Sequence, residues 1–124
     1  MITNKPALIN NIFKRLLIKL LRILTYLFVT VDFFFSSIGI SEFYNVVIAG
    51  RTSAYPWGSV NENPWYYQTS GIYSAYNLVC GLLFLIIALL TFWATVKKSK
   101  KWIIASVGLT IFCLLAHLIN TNIE

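Results

Sequence analysis

Asp32 lies in unusual surroundings for a carboxyl group. It belongs to the stretch FVTVDFFFSS, residues 28–37, and no other acidic residue occurs among the first 41 positions. A carboxyl group in an apolar stretch leaves the apolar phase, pairs with a cation inside it, or holds its proton. Asn77 and His117, the single histidine, lie in two later apolar stretches. Together these three side chains predict an intramembrane polar site that handles protons or hydrogen bonds.

Recognised catalytic and ligand-binding motifs are absent from the sequence. One histidine excludes an HExxH motif and a haem held by two histidines, and there is neither a glycine-rich phosphate loop nor a Cys-x-x-Cys pair. Cys80 and Cys113 lie in apolar stretches without metal-ligand spacing, so we expect them to pack as small apolar side chains. We therefore expect a protein that is not an enzyme, with no catalytic residues, no metal and no cofactor.

The composition determines the class of protein that must position these residues. Hydrophobic residues make up 58% of the 124 residues and charged residues only 11%, whereas soluble domains are about one quarter charged. So few charges do not cover a water-facing surface. We predict one all-α integral membrane domain, residues 1–124.

Three stretches are long and apolar enough to cross a bilayer, which takes about 20 residues per helix. We predict transmembrane helices at 23–40, 72–96 and 102–119. The connector KKSKK, residues 97–101, is so short that the second and third helices form an antiparallel hairpin. A longer aromatic-rich loop, residues 41–71, joins the first helix to the second and lies at the membrane interface.

The basic residues predict the orientation of these helices. Nine of the ten Lys and Arg residues lie in 1–22 or 97–101, and only Arg51 lies in the 41–71 loop. Such residues flank membrane helices on the cytoplasmic side. We therefore predict a cytoplasmic amino terminus and connector, with the loop and the carboxyl terminus outside, in a bacterial cytoplasmic (inner) membrane or an organellar membrane. Cations confined to helix flanks do not predict nucleic-acid binding.

The basic segment, residues 1–22, has the pattern of an amphipathic helix that leads into the first span. Four of its cations fall within about 140° of one another around a helix, namely Lys14, Arg15, Lys19 and Arg22. This face predicts contact with anionic lipid headgroups. A positively charged anchor without a specific lipid site explains the pattern equally well.

The 41–71 loop contains two Pro-Trp pairs, which interrupt any continuous helix. We predict that four of its aromatic residues meet the headgroup region as aromatic belts do, namely Trp57, Trp65, Tyr66 and Tyr67. The loop is then a docking surface for a neighbouring membrane subunit, a lid over an opening between the helices, or an interfacial cap without a partner.

Small and polar residues recur at steps of three and four in each predicted span, and so mark one face of each helix. These inward faces comprise Thr25, Val29, Asp32, Ser36 and Gly39 in the first span, Ser74, Asn77, Gly81, Phe84, Ala88, Thr91 and Thr95 in the second, and Ser106, Thr110, Cys113, His117 and Asn120 in the third. Membrane helices associate through small residues and hydrogen bonds, so we predict a three-helix bundle with these faces inside. Its packing contacts are predicted at Ser74, Gly81, Ala88, Ser106, Thr110 and Cys113.

In such a bundle Asp32 faces other helices rather than lipid. Arg22, the nearest cation, is about 15 Å away along the helix axis. We therefore predict that Asp32 is neutral and hydrogen-bonded to Asn77 or Ser36, or that it pairs with a cation of a partner subunit. The depths of His117, Asn77 and Asp32 in their spans predict a polar ladder that leads inward to the acid.

These features favour a protein that acts through contacts rather than catalysis. We predict an accessory or structural subunit of a larger membrane complex, which contacts other membrane subunits and anionic membrane lipids. The first alternative is an oligomeric ion or proton carrier or channel that uses Asp32. The second alternative is a membrane immunity protein against a pore-forming toxin.

Overall fold

The computed structural model describes residues 5–58 and 63–122. Residues 1–4 of the predicted basic segment, 59–62 of the predicted loop and 123–124 lie outside the described residues. The helices are α1 (Lys5–Phe43), continued by a π-helical turn (Tyr44–Ile48), a 3-10 turn (Trp65–Tyr67), α2 (Ser70–Val96) and α3 (Lys100–Thr121). The three long helices are each apolar and long enough to cross a membrane, which confirms the all-helical prediction with three candidate spans.

Helix α1 is much longer than the first predicted span, 23–40. Between Pro6 and Gly39 the sequence has neither proline nor glycine, and Pro6 is tolerated in the first turn because the amide groups there have no intrahelical acceptor. The basic segment and the first span therefore form one continuous helix of 39 residues, about 58 Å long. A bilayer core is about 30 Å thick, so α1 extends well beyond one.

The π-helical turn and a left-handed residue end the first helix. The Ala49 amide donates to the Tyr44 carbonyl at 2.9 Å, and the Arg51 amide donates to the Asn45 carbonyl at 2.9 Å. Gly50 lies between these donors with a φ of 62°, a conformation that glycine adopts without a side-chain clash. The chain therefore leaves the helix axis at this point and enters the loop.

The turn between α2 and α3 is a Schellman motif. The Ser99 amide donates to the Ala94 carbonyl at 3.1 Å, and the Lys98 amide donates to the Thr95 carbonyl at 3.2 Å. Lys98 has a φ of 56°, at a position where glycine is the usual residue. The two helices are thus separated by only three residues, 97–99, within the KKSKK connector.

The buried residues of α1 coincide with its inward face as read from the sequence. They are Thr25, Val29, Asp32, Ser36 and Gly39. Six of the seven inward residues of α2 are also buried, together with three apolar neighbours, and Asn77 is half-buried. On α3 only Ser106 and Thr110 are buried, because α3 contacts α2 less extensively than α1 does and contacts α1 least.

Helices α1 and α2 approach closely where Gly39 meets Gly81. A Cβ atom on Gly39 would lie 2.5 Å from the Asn77 carbonyl oxygen and 2.8 Å from Gly81 Cα. A Cβ atom on Gly81 would lie 3.0 Å from the Ile40 amide nitrogen. Only hydrogen atoms fit between the two backbones. This contact therefore determines the axial position of α2 relative to α1.

Candidate functional site

Asp32 is enclosed between the helices. The exposed fraction of its side chain is 0%, and its Oδ2 lies 3.0 Å from Thr110 Oγ1 on α3. The same threonine hydroxyl lies 3.2 Å from the Ser106 carbonyl oxygen. In the part of the chain that the structure describes, Asp32 Oδ1 has no hydrogen-bond partner.

Counting protons in this contact favours a neutral Asp32. A threonine hydroxyl donates one proton and can also accept. A protonated Asp32 donates to Thr110 Oγ1 while Thr110 donates to the Ser106 carbonyl, so both short contacts are hydrogen bonds. An ionised Asp32 would accept the one hydrogen bond that the threonine hydroxyl can donate, and its charged Oδ1 would have no donor. An unpaired charged oxygen costs far more than an unpaired neutral carbonyl oxygen. We infer that Asp32 is a neutral group that joins α1 to α3, and its pairing with a cation of a partner subunit stays a prediction.

The hydrogen bond predicted between Asp32 and Asn77 or Ser36 is not formed. Asn77 Nδ2 donates instead to the carbonyl one turn earlier in α2, at 2.9 Å. The Asn77 backbone lies against Gly39, which is seven residues, or about 10 Å, from Asp32 along α1. The axial register set by the glycine contact therefore keeps Asn77 away from Asp32, and Thr110 is the partner.

His117 belongs to a separate cluster at the loop end of the bundle, the end at which residues 49–69 join α1 to α2. Its Nδ1 lies 2.9 Å from the Tyr76 hydroxyl oxygen. Asn120 Nδ2 donates to that oxygen at 3.3 Å, and Trp65 Nε1 donates to Asn120 Oδ1 at 2.7 Å. The three predicted site residues thus have separate partners and do not form one continuous ladder.

The four aromatic residues predicted to dock at the interface differ in exposure. Tyr66 is 7% exposed and belongs to a small buried cluster with Tyr73, against which Trp57 and Tyr67 also pack. The ring centroid of Tyr73 lies 5.6 Å from that of Trp57 and 4.7 Å from that of Tyr67. Trp65 is 39% exposed. The loop aromatics therefore pack largely on α2, and their role in docking stays a prediction.

Glu42 connects α1 to both the loop and α2, although the sequence pattern did not single it out. Its Oε2 accepts from the Tyr55 hydroxyl at 2.6 Å and from the Tyr73 hydroxyl at 2.8 Å. The hydrogen bond to Glu42, together with burial, raises the pKa of Tyr55 from 10.0 to about 12. The available signal was an acid at the end of an apolar helix, followed by a loop rich in tyrosine.

The predicted headgroup-binding cations lie in an exposed part of α1. They are Lys14, Arg15, Lys19 and Arg22, and every residue from Lys5 to Leu24 is exposed. The first five turns of α1 are thus not covered by the packed part of the bundle. Contact of these cations with lipid stays a prediction.

Five of the six predicted packing residues are buried, namely Ser74, Gly81, Ala88, Ser106 and Thr110. The sixth, Cys113, is half-buried, as is Cys80, and both are free thiols. The two cysteines line a groove of about 530 Å³ between α2 and α3. Tyr76, His117 and Asn120 line the same groove, so the polar cluster of the loop end opens into it.

Comparisons with protein-family models, with curated proteins and with solved structures found no match to this chain. The functional proposals therefore rest on the geometry of the chain.

Proposed function

We propose that this protein is an accessory subunit of a larger membrane assembly and that α1 binds the neighbouring subunit. The observation that carries the proposal is a second face of small polar residues on α1. Thr30, Ser37 and Ser41 are exposed and follow one another at steps of seven and four, so they share a face. This face lies about 160° around the helix from Asp32. It therefore points away from the side that packs on α2 and α3.

The exposed face has the character of a helix contact. Small residues let a second membrane helix approach closely. The Thr30 hydroxyl donates to the Tyr26 carbonyl at 3.0 Å and the Ser37 hydroxyl donates to the Phe33 carbonyl at 2.8 Å. Neither hydroxyl proton thus needs a partner outside α1. Phe34, which is 62% exposed, lies between these small residues. Its aromatic ring can pack in a groove of a partner helix.

The first five turns of α1 support the same proposal. Residues 5–24 are all exposed and form about 30 Å of helix. Phe13 is 65% exposed and Leu20 is 62% exposed, on the side away from the four clustered cations. Because α1 continues without a break into the bundle, this apolar side needs a cover, which a partner subunit or the membrane surface supplies.

Extraction in mild detergent, followed by identification of stoichiometric companions, tests the proposal. We expect the wild-type chain to retain a different membrane protein and Ser37→Leu to lose it, because an isobutyl group blocks close approach. Ala105→Leu adds nearly the same bulk on an exposed face of α3 and should retain the companion. Equal recovery with both variants would contradict a role for the α1 face. A complex that forms only after addition of a pore-forming toxin would favour an immunity protein.

An oligomeric ion or proton carrier is the second candidate, supported by the enclosed Asp32 with its unpaired Oδ1. Acids within membrane helices often handle protons. Asp32→Asn keeps the shape and can still donate to Thr110. In liposomes, loss of pH-dependent flux in Asp32→Asn with intact assembly would favour the carrier over the accessory subunit, and recovery of a homo-oligomer alone would point the same way.

A further inference from the structure

The polar cluster at the loop end has a defined hydrogen-bond direction. The Trp65 indole N–H can only donate, so the Asn120 atom at 2.7 Å is the oxygen, Oδ1. The Asn120 amide nitrogen then donates to the Tyr76 hydroxyl oxygen at 3.3 Å. The Tyr76 hydroxyl proton then goes to His117 Nδ1 at 2.9 Å, a stronger acceptor than the Cys80 sulfur that also contacts this hydroxyl. A chain of donors therefore runs from the loop through α3 and α2 to the histidine.

This direction favours one tautomer of the imidazole. Because His117 Nδ1 accepts from Tyr76, the proton of the neutral ring lies on Nε2. A ring protonated on Nδ1 would present a donor to the tyrosine oxygen and leave the tyrosine proton to the Cys80 sulfur, which is a weaker acceptor. Within the described residues Nε2 has no hydrogen-bond partner, and it is not among the enclosed atoms that lack one. The Nε2–H group is thus a donor without a partner among the described residues, on a side chain that lines the groove between α2 and α3.

The free donor stands at the polar end of the groove between α2 and α3. The remaining walls are largely apolar and include Cys80, Leu83, Phe84, Phe112, Cys113 and Ile119. From Tyr76 to Phe84 the groove follows α2 for about 12 Å, away from the loop end. Its volume of about 530 Å³ lies within the range of about 300–1,000 Å³ for small-molecule sites. None of the lining residues is Lys, Arg, Asp or Glu.

These features favour an uncharged amphiphile that carries a hydrogen-bond acceptor. A carboxylate or phosphate would enter the groove without a countercharge. An acyl ester has a carbonyl acceptor followed by an apolar chain, and it lies at the boundary between headgroups and hydrocarbon. His117 is four residues before the end of α3, about 6 Å below the helix end, which suits that boundary.

We propose that the groove binds one acyl chain of a membrane glycerolipid, whose ester carbonyl accepts a hydrogen bond from His117 Nε2–H. The chain lies along Leu83 and Phe112, toward the middle of the bilayer. Trp65 is a positioning residue, because it acts on the lipid through the tautomer of His117. The site lies on α2 and α3, away from the α1 face of the proposed subunit contact, so the two proposals can fail independently.

The single histidine permits a direct test of the tautomer. In the full chain in phospholipid nanodiscs, with histidine enriched in the heavy nitrogen isotope, both ring-nitrogen resonances belong to His117. We expect the Nε2–H tautomer at neutral pH, and an Nδ1–H tautomer or an imidazolium there would overturn the proposal. Trp65→Phe removes the first donor without altering a groove wall. It should yield a mixture of tautomers, and an unchanged spectrum would exclude the positioning role.

Replacement of diacyl by dialkyl ether phosphatidylcholine tests the carbonyl without changing the protein. The ether lipid keeps the headgroup and the chains but has no ester carbonyl. We expect the His117 Nε2 resonance to differ between the two lipids. In native mass spectrometry the ether lipid should bind about three- to tenfold more weakly, which corresponds to one hydrogen bond. Identical His117 resonances in both lipids would overturn the proposal, as would displacement of diacyl lipid by an equal concentration of an alkyl benzoquinone.

Two phenylalanine variants complete the test. His117→Phe keeps a ring in contact with the groove but removes the donor, and it should lower diacyl-lipid retention to the level of the ether lipid. Leu118→Phe places the same ring one residue further on, where the native side chain is 58% exposed, and should retain the diacyl lipid as the wild type does. Equal retention by the two variants would show that His117 does not bind the ester. If His117→Phe fails to fold, the lipid replacement in the wild-type chain still decides the question.

Discussion

Thr110 on α3 and Asp32 on α1 make the one side-chain hydrogen bond that joins these two helices within the described chain, at 3.0 Å between Oγ1 and Oδ2. The contact between α1 and α3 is the smallest of the three helix pairs. A buried polar contact thus joins the two helices that contact each other least. Apolar burial drives little association between helices in lipid, so such a bond helps to fix the orientation of α3 about its own axis.

Loss of the Thr110 hydroxyl should loosen α3. Thr110→Val keeps the shape but removes the bond, and we expect it to lower the free energy of unfolding in detergent by about 1–2 kcal/mol. Asp32→Asn should remain close to wild type because its amide can donate to Thr110, whereas Asp32→Leu should be destabilised. Thr30→Val, on the exposed face, is the control. Equal unfolding midpoints for the Thr30 and Thr110 variants would show that the bond contributes nothing.

A methyl group at the glycine contact should force α1 and α2 apart. Gly39→Ala brings a Cβ within 2.5 Å of the Asn77 carbonyl oxygen, so we expect a loss of about 1–3 kcal/mol, as for other overpacked sites. Gly108→Ala on α3 meets nothing within 4 Å and should be neutral or slightly stabilising. Thermal unfolding in one detergent compares the two, and similar midpoints would exclude a close backbone contact at Gly39.

A second glycine variant tests the same contact from α2. Gly81→Leu places a larger side chain against the Ile40 backbone and should impair detergent stability and recovery of companions. Leu85→Ala, at a half-buried position, should do less harm to both. The reverse order would place the close contact of α2 on a different face.

The bond between Tyr55 and Glu42 should make the loop sensitive to alkaline pH. The pKa of Tyr55 is raised from 10.0 to about 12 in the folded chain, so the folded state keeps a proton that the unfolded state has lost between these values. The stability from this bond is therefore complete below pH 10 and is lost as the pH rises to about 12. Tyrosinate absorbance during titration should show one fewer late-ionising tyrosine in Tyr55→Phe. Glu42→Gln should shift the pKa of Tyr55 back toward 10, and an unchanged titration would exclude Glu42 as the cause.

Glycine at position 98 should stabilise the hairpin of α2 and α3. Lys98 has a φ of 56°, a conformation that costs an ordinary residue about 1–2 kcal/mol, and glycine avoids much of this cost at the position after a helix. We expect Lys98→Gly to raise the unfolding midpoint. Lys97→Gly, where φ is −75°, should lower it or leave it unchanged. A lower midpoint for Lys98→Gly would mean that the lysine side chain itself stabilises the turn.

The basic flanks predict the orientation of the chain in the membrane. With Cys80 and Cys113 replaced by alanine, we expect an impermeant thiol reagent to label Ser53→Cys in intact cells and to label Lys101→Cys only after permeabilisation. Both native positions are exposed, so access to the reagent depends on the side of the membrane. Labelling of Lys101→Cys alone in intact cells would reverse the predicted orientation.

Helical periodicity determined which side of α1 is buried, because the reason is local. Lipid accepts the apolar residues of a helix on any side, whereas small and polar residues gain contacts only against another helix. All five residues of the inward face of α1, from Thr25 to Gly39, are buried accordingly. On α3 the same rule was weaker, since Cys113, His117 and Asn120 are only half-buried beside the groove.

The partners within the bundle were decided by the tertiary structure. A repeat of three and four residues shows which side of a helix faces its neighbours. It contains no information on the height of that helix, which is its position along the axis of a neighbouring helix. That height depends on where two backbones can approach, which here is at Gly39 and Gly81. This axial position of α2 places Asn77 two turns from Asp32, so Thr110 is the partner of the acid. The loop then brings Trp65 Nε1 to within 2.7 Å of Asn120 Oδ1. Sequence alone therefore determined the buried face of α1 and most of that of α2, and close packing of the backbones decided which polar side chains meet.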